Sequence, residues 1–399
     1  MAERPSSRRA RLLVLGAGAA QLGLLEAARE YGLFVIAADQ DPQAQGFAVA
    51  DERALISSED EQGIERLARA RDVDGLISPG ADWPVGIAAR IAERLGLPHP
   101  IDGATAVLAT TKSRQRERLA AAGVPQPRTY AADDPAVPFP CVVKAPDRQG
   151  QRGLTLVCER SHLPAAIRAA VTESRGGGVL VEELVEGPEL TVNAVSRDGH
   201  FVPLTVTDRL TAEPPAFGVA LAHAWPSMHA TAAVVEAAGA AVAALGIANG
   251  PSYTQVRLAP DGPKVVEVAA RLGGGHDAEL CLAATGVDLN ALALSFALGQ
   301  RVPDAKQRQL PVAGGACVVF FVAPEGELHE VEGIDAARAV EGVRLVRLYR
   351  RPGWRFGPLR RGPDRAGAVL AVGDDRDDAL ARARRAAEAL RFLVDADTA

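Results

Sequence analysis

The chain has 399 residues, 48% of them hydrophobic and 24% charged, which suits a soluble globular protein of roughly two or three domains. Its formal net charge of -6 argues against a nucleic-acid partner. No segment approaches the length of a membrane span, so no membrane partner is expected. The cysteines Cys141, Cys158, Cys281 and Cys317 form no CxxC pair, which argues against zinc or thioredoxin-type chemistry. They read as small core residues in a reducing cytoplasm.

The first ~105 residues alternate strand and helix signals. Arg8, Arg9 and Arg11 precede the apolar run Leu12–Leu15, but Gly16 and Gly18 interrupt it at once. A strand and glycine turn therefore fit better than a secretory leader. A helix is expected over Gln21–Tyr31, then a strand over Leu33–Ala38, a helix over 62–71, a strand over 75–78 and a helix over 84–95. Alternation of this kind implies a parallel sheet with helices on both faces. The turn from Gly16 to Gln21, with Asp39 ending the second strand, resembles a dinucleotide fingerprint. Gln21 stands where the third glycine belongs, so NAD is not expected.

Pro98 and Pro100 mark a boundary, followed by a helix over Thr110–Ala122 that stops at Gly123. Strands are then expected at Cys141–Lys144, Leu154–Cys158, Val179–Glu183, Leu190–Ser196 and Val202–Val206, forming an antiparallel sheet with helices beside it. A helix over Ala230–Leu245 precedes strands near Tyr253–Leu258 and Lys264–Val268. Residues 278–299 read as helical, and the tail as strands at 315–322 and 367–372 with a final helix over 376–391. Arg344, Arg347, Arg350, Arg351, Arg355, Arg360 and Arg361 read as a solvated hairpin surface, with an anion site as the alternative.

Three segments carry chemistry. In the first, Lys144 ends a strand and Gly150-Gln151-Arg152-Gly153 follows. An ammonium meets phosphate oxygens while a glycine loop offers backbone N–H groups. In the second, Val181-Glu182-Glu183-Leu184-Val185-Glu186-Gly187-Pro188-Glu189 leads a strand into a turn. Its backbone could pair with an adenine edge, and Glu189 could accept ribose hydroxyls. In the third, Glu267 ends an apolar run, Arg271 follows four residues on, and Gly273-Gly274-Gly275-His276-Asp277 comes next. A carboxylate beside polyphosphate points to Mg²⁺, and a neighbouring guanidinium can hold a substrate carboxylate or a developing oxyanion.

The order of these motifs, with Thr111-Lys112 upstream, resembles the ATP-grasp superfamily over nearly the whole chain, in particular its amino-acid ligase and carbamoyl-phosphate-synthetase-like branch. The resemblance implies mixed α/β and α+β architecture. It divides into a parallel pre-ATP-grasp domain over 1–107, an ATP-grasp domain of two α+β subdomains over 108–304, and a C-terminal α+β portion over 305–399. It implies ATP and Mg²⁺ as cofactors. Lys112 and Lys144 would contact the phosphates under a lid of Gly150, Gln151, Arg152 and Gly153. Glu182 would meet adenine with backbone help from Glu183 and Val185, and Glu189 would bind ribose. Glu267 would bridge Mg²⁺ with Gln255 nearby, and Arg271 would stabilise an acyl phosphate with the N–H groups around Gly273–Gly275. Gly274, His276, His223, Asp277 and Asp82 are candidates to touch substrate.

Two positions depart from the family pattern. Ala269 stands where an asparagine ligand is usual, and Gln255 is neutral where many relatives carry an acid. Weaker metal binding, or one tightly held ion, is expected. The implied activity is an ADP-forming carboxylate–amine ligase acting on a small-molecule carboxylate and amine, with a homodimer conceivable. The alternatives are bicarbonate or formate activation, and nucleotide binding without turnover.

Overall fold

The computed structural model describes residues 8–300 and 313–395. Short apolar strands joined by helices build the first layer: β1 (Arg11–Leu15), α1 (Leu22–Glu30), β2 (Phe34–Asp39), β3 (Glu52–Leu55), α2 (Glu61–Ala70), β4 (Gly75–Ile77) and α3 (Asp82–Leu95). The four strands are parallel, in the order β3-β2-β1-β4. Burial on both faces explains why β1 is nearly all Leu and Val. Asp60 caps α2 by accepting from Gly63 N at 2.9 Å.

Two helices follow where one was expected: α4 (Gly103–Thr110) and α5 (Lys112–Ala121). Thr111 between them is extended, at φ -123 and ψ 105, and the Lys112 N–H leaves the helix path to reach Pro146 O at 2.8 Å. That break aims the Lys112 side chain into the cleft.

A small antiparallel sheet in the order β5-β8-β6-β7 comes from β5 (Thr129–Tyr130), β6 (Cys141–Lys144), β7 (Thr155–Val157) and β8 (Leu180–Glu183), with α6 (Leu163–Glu173) between the last two strands. The large sheet begins with β9 (Glu189–Arg197), β10 (His200–Thr211) and β11 (Ala220–Trp225). After α7 (Ala232–Ala244) it continues with β12 (Gly250–Ala259) and β13 (Gly262–Ala269). The segment 278–299 is not one helix. It divides into α8 (Asp277–Thr285) and α9 (Leu289–Leu298), bent by 117°. Gly286 in a left-handed conformation ends the first, and Asp288 caps the second through Ala291 N.

The C-terminal part supplies β14 (Gly315–Phe321), β15 (Gly326–Glu332), α10 (Ile334–Ala339), β16 (Val343–Leu348), β17 (Arg355–Phe356), β18 (Gly367–Gly373), α11 (Arg376–Glu388) and β19 (Arg391–Asp395). Three of these strands extend the large sheet to eight, ordered β13-β12-β9-β10-β11-β14-β18-β16. Backbone pairing of β11 with β14 therefore joins the tail to the central region. The expected boundary at 304/305 lies outside the described residues. Sequence patterning did not separate β3, α6, β11, β15, α10, β16, β17 or β19 from their surroundings.

One apolar core packs β1, β2 and α1 of the first layer against α8 and α9, through Leu24, Leu25, Cys281 and Leu294. The parallel domain is thereby fixed over the end of the large sheet, and a cavity lies between them. Among the described residues, no single helix is long and apolar enough to cross a membrane. Three cysteines are buried as expected, whereas Cys158 is exposed, one residue beyond the end of β7.

Candidate active site

Strand pairing sets one wall of a cleft. Val142 of β6 lies opposite Glu182 of β8, so Lys144, two residues on, shares their face. Lys144 Nζ is 2.7 Å from Glu182 Oε2, and Arg116 Nε from α5 is 2.5 Å from Glu182 Oε1. Burial raises the Glu182 pKa, but Lys144 and Arg116 outweigh it and hold the carboxyl below its ordinary value. Burial lowers the Lys144 ammonium despite the partner carboxylate. Both Glu182 oxygens are thus committed to cations. This departs from the expectation that its side chain meets adenine.

Lys144, the loop residues Gly150, Gln151 and Arg152, Glu182, Glu183, Val185 and Glu189 line one cleft of about 100 Å³, together with Lys112, Gln255 and Glu267, whereas Gly153 does not. Glu189 is paired with Arg209 at 2.6 Å and Arg257 at 3.1 Å, so a ribose would share a carboxylate already fixed by two guanidiniums. Gly187 makes the turn between β8 and β9, with φ +128, and a Cβ there would fall 2.1 Å from Leu258 O. Only glycine lets that turn approach β12 so closely.

The opposite wall is β13. Its Glu267 pairs in register with Gln255 of β12, which places both on one face. Glu267 Oε1 lies 2.9 Å from Lys112 Nζ, and Lys112 also donates to Arg148 O at 2.7 Å. Burial opposes the charge of both groups. It is outweighed at Lys112 by Glu267 and Asp82, and at Glu267 by Lys112, so the lysine pKa rises and the carboxyl pKa falls. Gln115 clamps α5 to β13, donating to Val268 O at 2.7 Å and accepting from Val268 N at 3.1 Å. Arg116 adds a bond to Val265 O at 3.2 Å. Gln115 and Arg116 were missed in the sequence, where Lys112 alone stood out from its helix.

The donor set tests the fit for Mg²⁺. Glu267 supplies one carboxylate, Gln255 one amide oxygen and Ala269 none. No group of three or more His, Cys, Asp or Glu side chains is placed to hold a metal among the described residues. Mg²⁺ keeps waters and usually takes one or two carboxylates plus substrate phosphates. The residues therefore fit an ion carried in by a polyphosphate.

A second cavity, of about 500 Å³, adjoins the first and shares Gln149–Arg152, Arg209 and Gln255 with it. The glycine turn Gly18–Gln21, Asp82, His223, Tyr253, Arg271, Gly274, Tyr349 and Arg365 line it. Arg271 Nε is 2.5 Å from Asp82 Oδ1, bridging β13's end to the start of α3. Gln149 accepts from the Asp82 N–H, which ties the lid's base to the same point. Burial lowers the His223 pKa to about 4, so the ring is neutral near pH 7.

Several sequence expectations shift here. His276 does not line the cavity. Its Nε2 lies 2.6 Å from the Tyr349 hydroxyl and its Nδ1 3.6 Å from Glu279, so it orients Tyr349 instead. Its left-handed backbone, at φ 60, starts α8. Asp277 accepts from Gly275 N at 3.0 Å and Asn193 Nδ2 at 3.2 Å, so it shapes the glycine turn. The Gly275 N–H is therefore not free for an acyl phosphate. The arginine-rich segment is only partly a solvated hairpin. Arg347 is 8% exposed and pairs with Glu26 and Glu279, and Arg350 lines the cavity.

A family model for the carbamoyl-phosphate synthase L chain ATP-binding domain matches residues 124–305, and one for the L-amino acid ligase C-terminal domain 2 matches 319–395. Carnosine synthase 1 of Gallus gallus is 29% identical, over 84% of this chain and 40% of its own length. The chain thus spans less than half of that relative. Formate-dependent phosphoribosylglycinamide formyltransferase of Thioalkalivibrio sulfidiphilus is 29% identical, over 96% of this chain and 97% of its own. The solved structure of an L-amino acid ligase from Bacillus licheniformis superposes with a TM-score of 0.83 at 23% identity, over 98% of this chain and 100% of that one. With Lys112, Lys144, a glycine loop and Glu267 around one cleft, and with both family models matched, the chain belongs to the ATP-grasp superfamily of ATP- and Mg²⁺-dependent ligases.

Proposed function

We propose that this chain joins an amino-acid-like carboxylate to an amine as an amide or peptide bond, through an acyl phosphate. The supporting observation is the meeting of the two cavities at Gln255 and the lid, with Glu267 on the nucleotide side and Arg271 on the other. A terminal phosphate near Lys112, Lys144 and Glu267 would face the space where a carboxylate binds. The carboxylate oxygen attacks the γ-phosphorus and ADP leaves. The amine then attacks the acyl carbon, and phosphate leaves with the bond pair. Glu267, with phosphate oxygens, would hold Mg²⁺, which would supply charge neutralisation for phosphoryl transfer. Lys112 and Lys144 exchange a carboxylate partner for phosphate oxygens, and Arg271 holds the acyl-phosphate oxygen.

Formate or bicarbonate activation uses the same first step, and similarity to the formyltransferase supports it. The 500 Å³ cavity is far roomier than a one-carbon acid needs, which favours the larger substrates. The test is a panel of amino acids, paired as donor and acceptor, screened for ADP release with mass spectrometry of products. Amine-dependent ADP release with an amide product supports the reading. ADP release driven by bicarbonate or formate alone would replace it, and no release with any mixture would favour nucleotide binding without turnover. The unpaired cysteines support a reducing cytoplasmic setting. We also propose a homodimer, which light scattering would test.

A further inference from the structure

The small antiparallel sheet and the parallel domain meet through a side chain that the proposed reaction does not use. Arg175 lies in the connection 174–179 between α6 and β8. It pairs with Glu59, which precedes α2, and its guanidinium lies 4.6 Å from the ring centroid of Trp83 in the first turn of α3. All three residues line the 500 Å³ cavity. The Arg175 side chain is 18% exposed and that of Glu59 46%, so the pair stands where the cavity reaches solvent.

The same connection holds the base of the glycine loop. Arg175 NH1 donates to Asp147 O at 2.6 Å, and Asp147 Oδ2 accepts from Gly176 N at 2.9 Å and from Ser174 Oγ at 3.1 Å. Arg148 Nε donates to Glu173 O, at the end of α6. Asp147 and Arg148 lead directly into the loop 150–153, and Arg148 O accepts from Lys112 Nζ. One continuous link therefore runs from Glu59 and Trp83, through Arg175, to the residues that carry the loop beside the nucleotide cleft. The guanidinium uses NH2 for Glu59, NH1 for Asp147 O and its face for Trp83. A lysine ammonium has no such planar fork.

A partly exposed ion pair stacked on one ring is weak enough to open and has one geometry in which it closes. The pair shifts an equilibrium by up to about 5-fold, and the stacked ring by a similar factor. We infer that Arg175 is a positioning residue that works as a latch. Its contact with the parallel domain holds the loop 150–153 against bound nucleotide, and release of that contact frees ADP.

This inference rests on the nucleotide site and not on the identity of the carboxylate or amine, so its test is ADP release. The whole chain, loaded with Mg²⁺ and N-methylanthraniloyl-ADP, is mixed with excess ADP in a stopped-flow fluorimeter. Arg175→Gln should release the labelled nucleotide roughly 10-fold faster, and Glu59→Gln and Trp83→Leu each about 3-fold faster. Adding Glu59→Gln to Arg175→Gln should bring no further gain, because both cut the same link. Arg175→Lys should keep part of the wild-type retention. Amide hydrogen exchange over 148–153 should quicken in Arg175→Gln while α11 keeps its wild-type rates, a pattern that a general loss of stability does not produce. Wild-type release from Arg175→Gln, or additive effects of the two substitutions, would overturn the latch. Failure of the nucleotide site itself would show separately, as no saturable binding of the labelled ADP to the wild-type chain, and would remove the latch with it.

Discussion

Lys112 Nζ and Glu267 Oε1 stand 2.9 Å apart across the nucleotide cleft, so the cation that begins α5 and the carboxylate near the end of β13 neutralise one another. Glu267 is also the carboxylate best placed for a phosphate-borne metal. Glu267→Gln should lower turnover by roughly 100-fold or more and raise the Mg²⁺ concentration needed for half-maximal rate. ADP release measured across a Mg²⁺ series checks both. An unchanged Mg²⁺ dependence would remove Glu267 from the metal.

Ala269 lies on the same strand face as Glu267 and offers no oxygen. The ATP complex should therefore hold one Mg²⁺ tightly, the rest of its shell being phosphate oxygens and water. Manganese substitution with electron paramagnetic resonance counts the sites. Two equally tight ions would contradict this.

Arg271 and Asp82 join the strand that carries Glu267 to the parallel domain. Burial would lower the Arg271 pKa, but Asp82 more than offsets this and holds the guanidinium charged. Asp82→Asn leaves that charge buried without its partner, which costs about 3–5 kcal/mol in comparable pairs. Arg271→Gln should reduce kcat roughly 100-fold with little change in ATP affinity, because its proposed partner is the intermediate. Urea unfolding and steady-state kinetics separate the two effects. A loss of ATP affinity at constant kcat would contradict the assignment.

His223 gives a pH signature. Its folded pKa of about 4 lies below the ordinary 6.5, so the unfolded chain binds more protons between these values. Stability from keeping the ring neutral is fully present above pH 6.5 and is lost as pH falls toward 4. The expected loss is about 3 kcal/mol over that window. Urea melts at pH 5 and 7.5, with His223→Asn as control, measure it. An equal pH slope in the control would show that another group is responsible.

The residues that form the cleft were legible where chemistry and spacing coincide: Lys144 before its glycine loop, Gly187 in its turn, Glu267 four residues before Arg271. The partners of these groups were not. Arg116 gives no signal in a polar helix, yet it meets Glu182 because α5 crosses β8 and β13. The break at Thr111 depends on a bond to Pro146, thirty-five residues on, which no local pattern carries. Arg350 reads as surface charge because its surroundings are polar, and it lines the cavity at the end of β16, which pairs with β18. His276 was placed at the substrate from its proximity in sequence to Gly274. Starting α8 turns its ring to Tyr349 instead.

The central claim is that a substrate carboxylate takes the γ-phosphoryl group before the amine arrives. The most direct measurement supplies the donor with ¹⁸O in its carboxylate and follows the label in the phosphate released. Transfer of one labelled oxygen into phosphate per amide formed is the predicted result. Unlabelled phosphate, with the carboxylate oxygen lost on amide formation found in water instead, would contradict the acyl-phosphate route and, with it, the roles of Glu267 and Arg271.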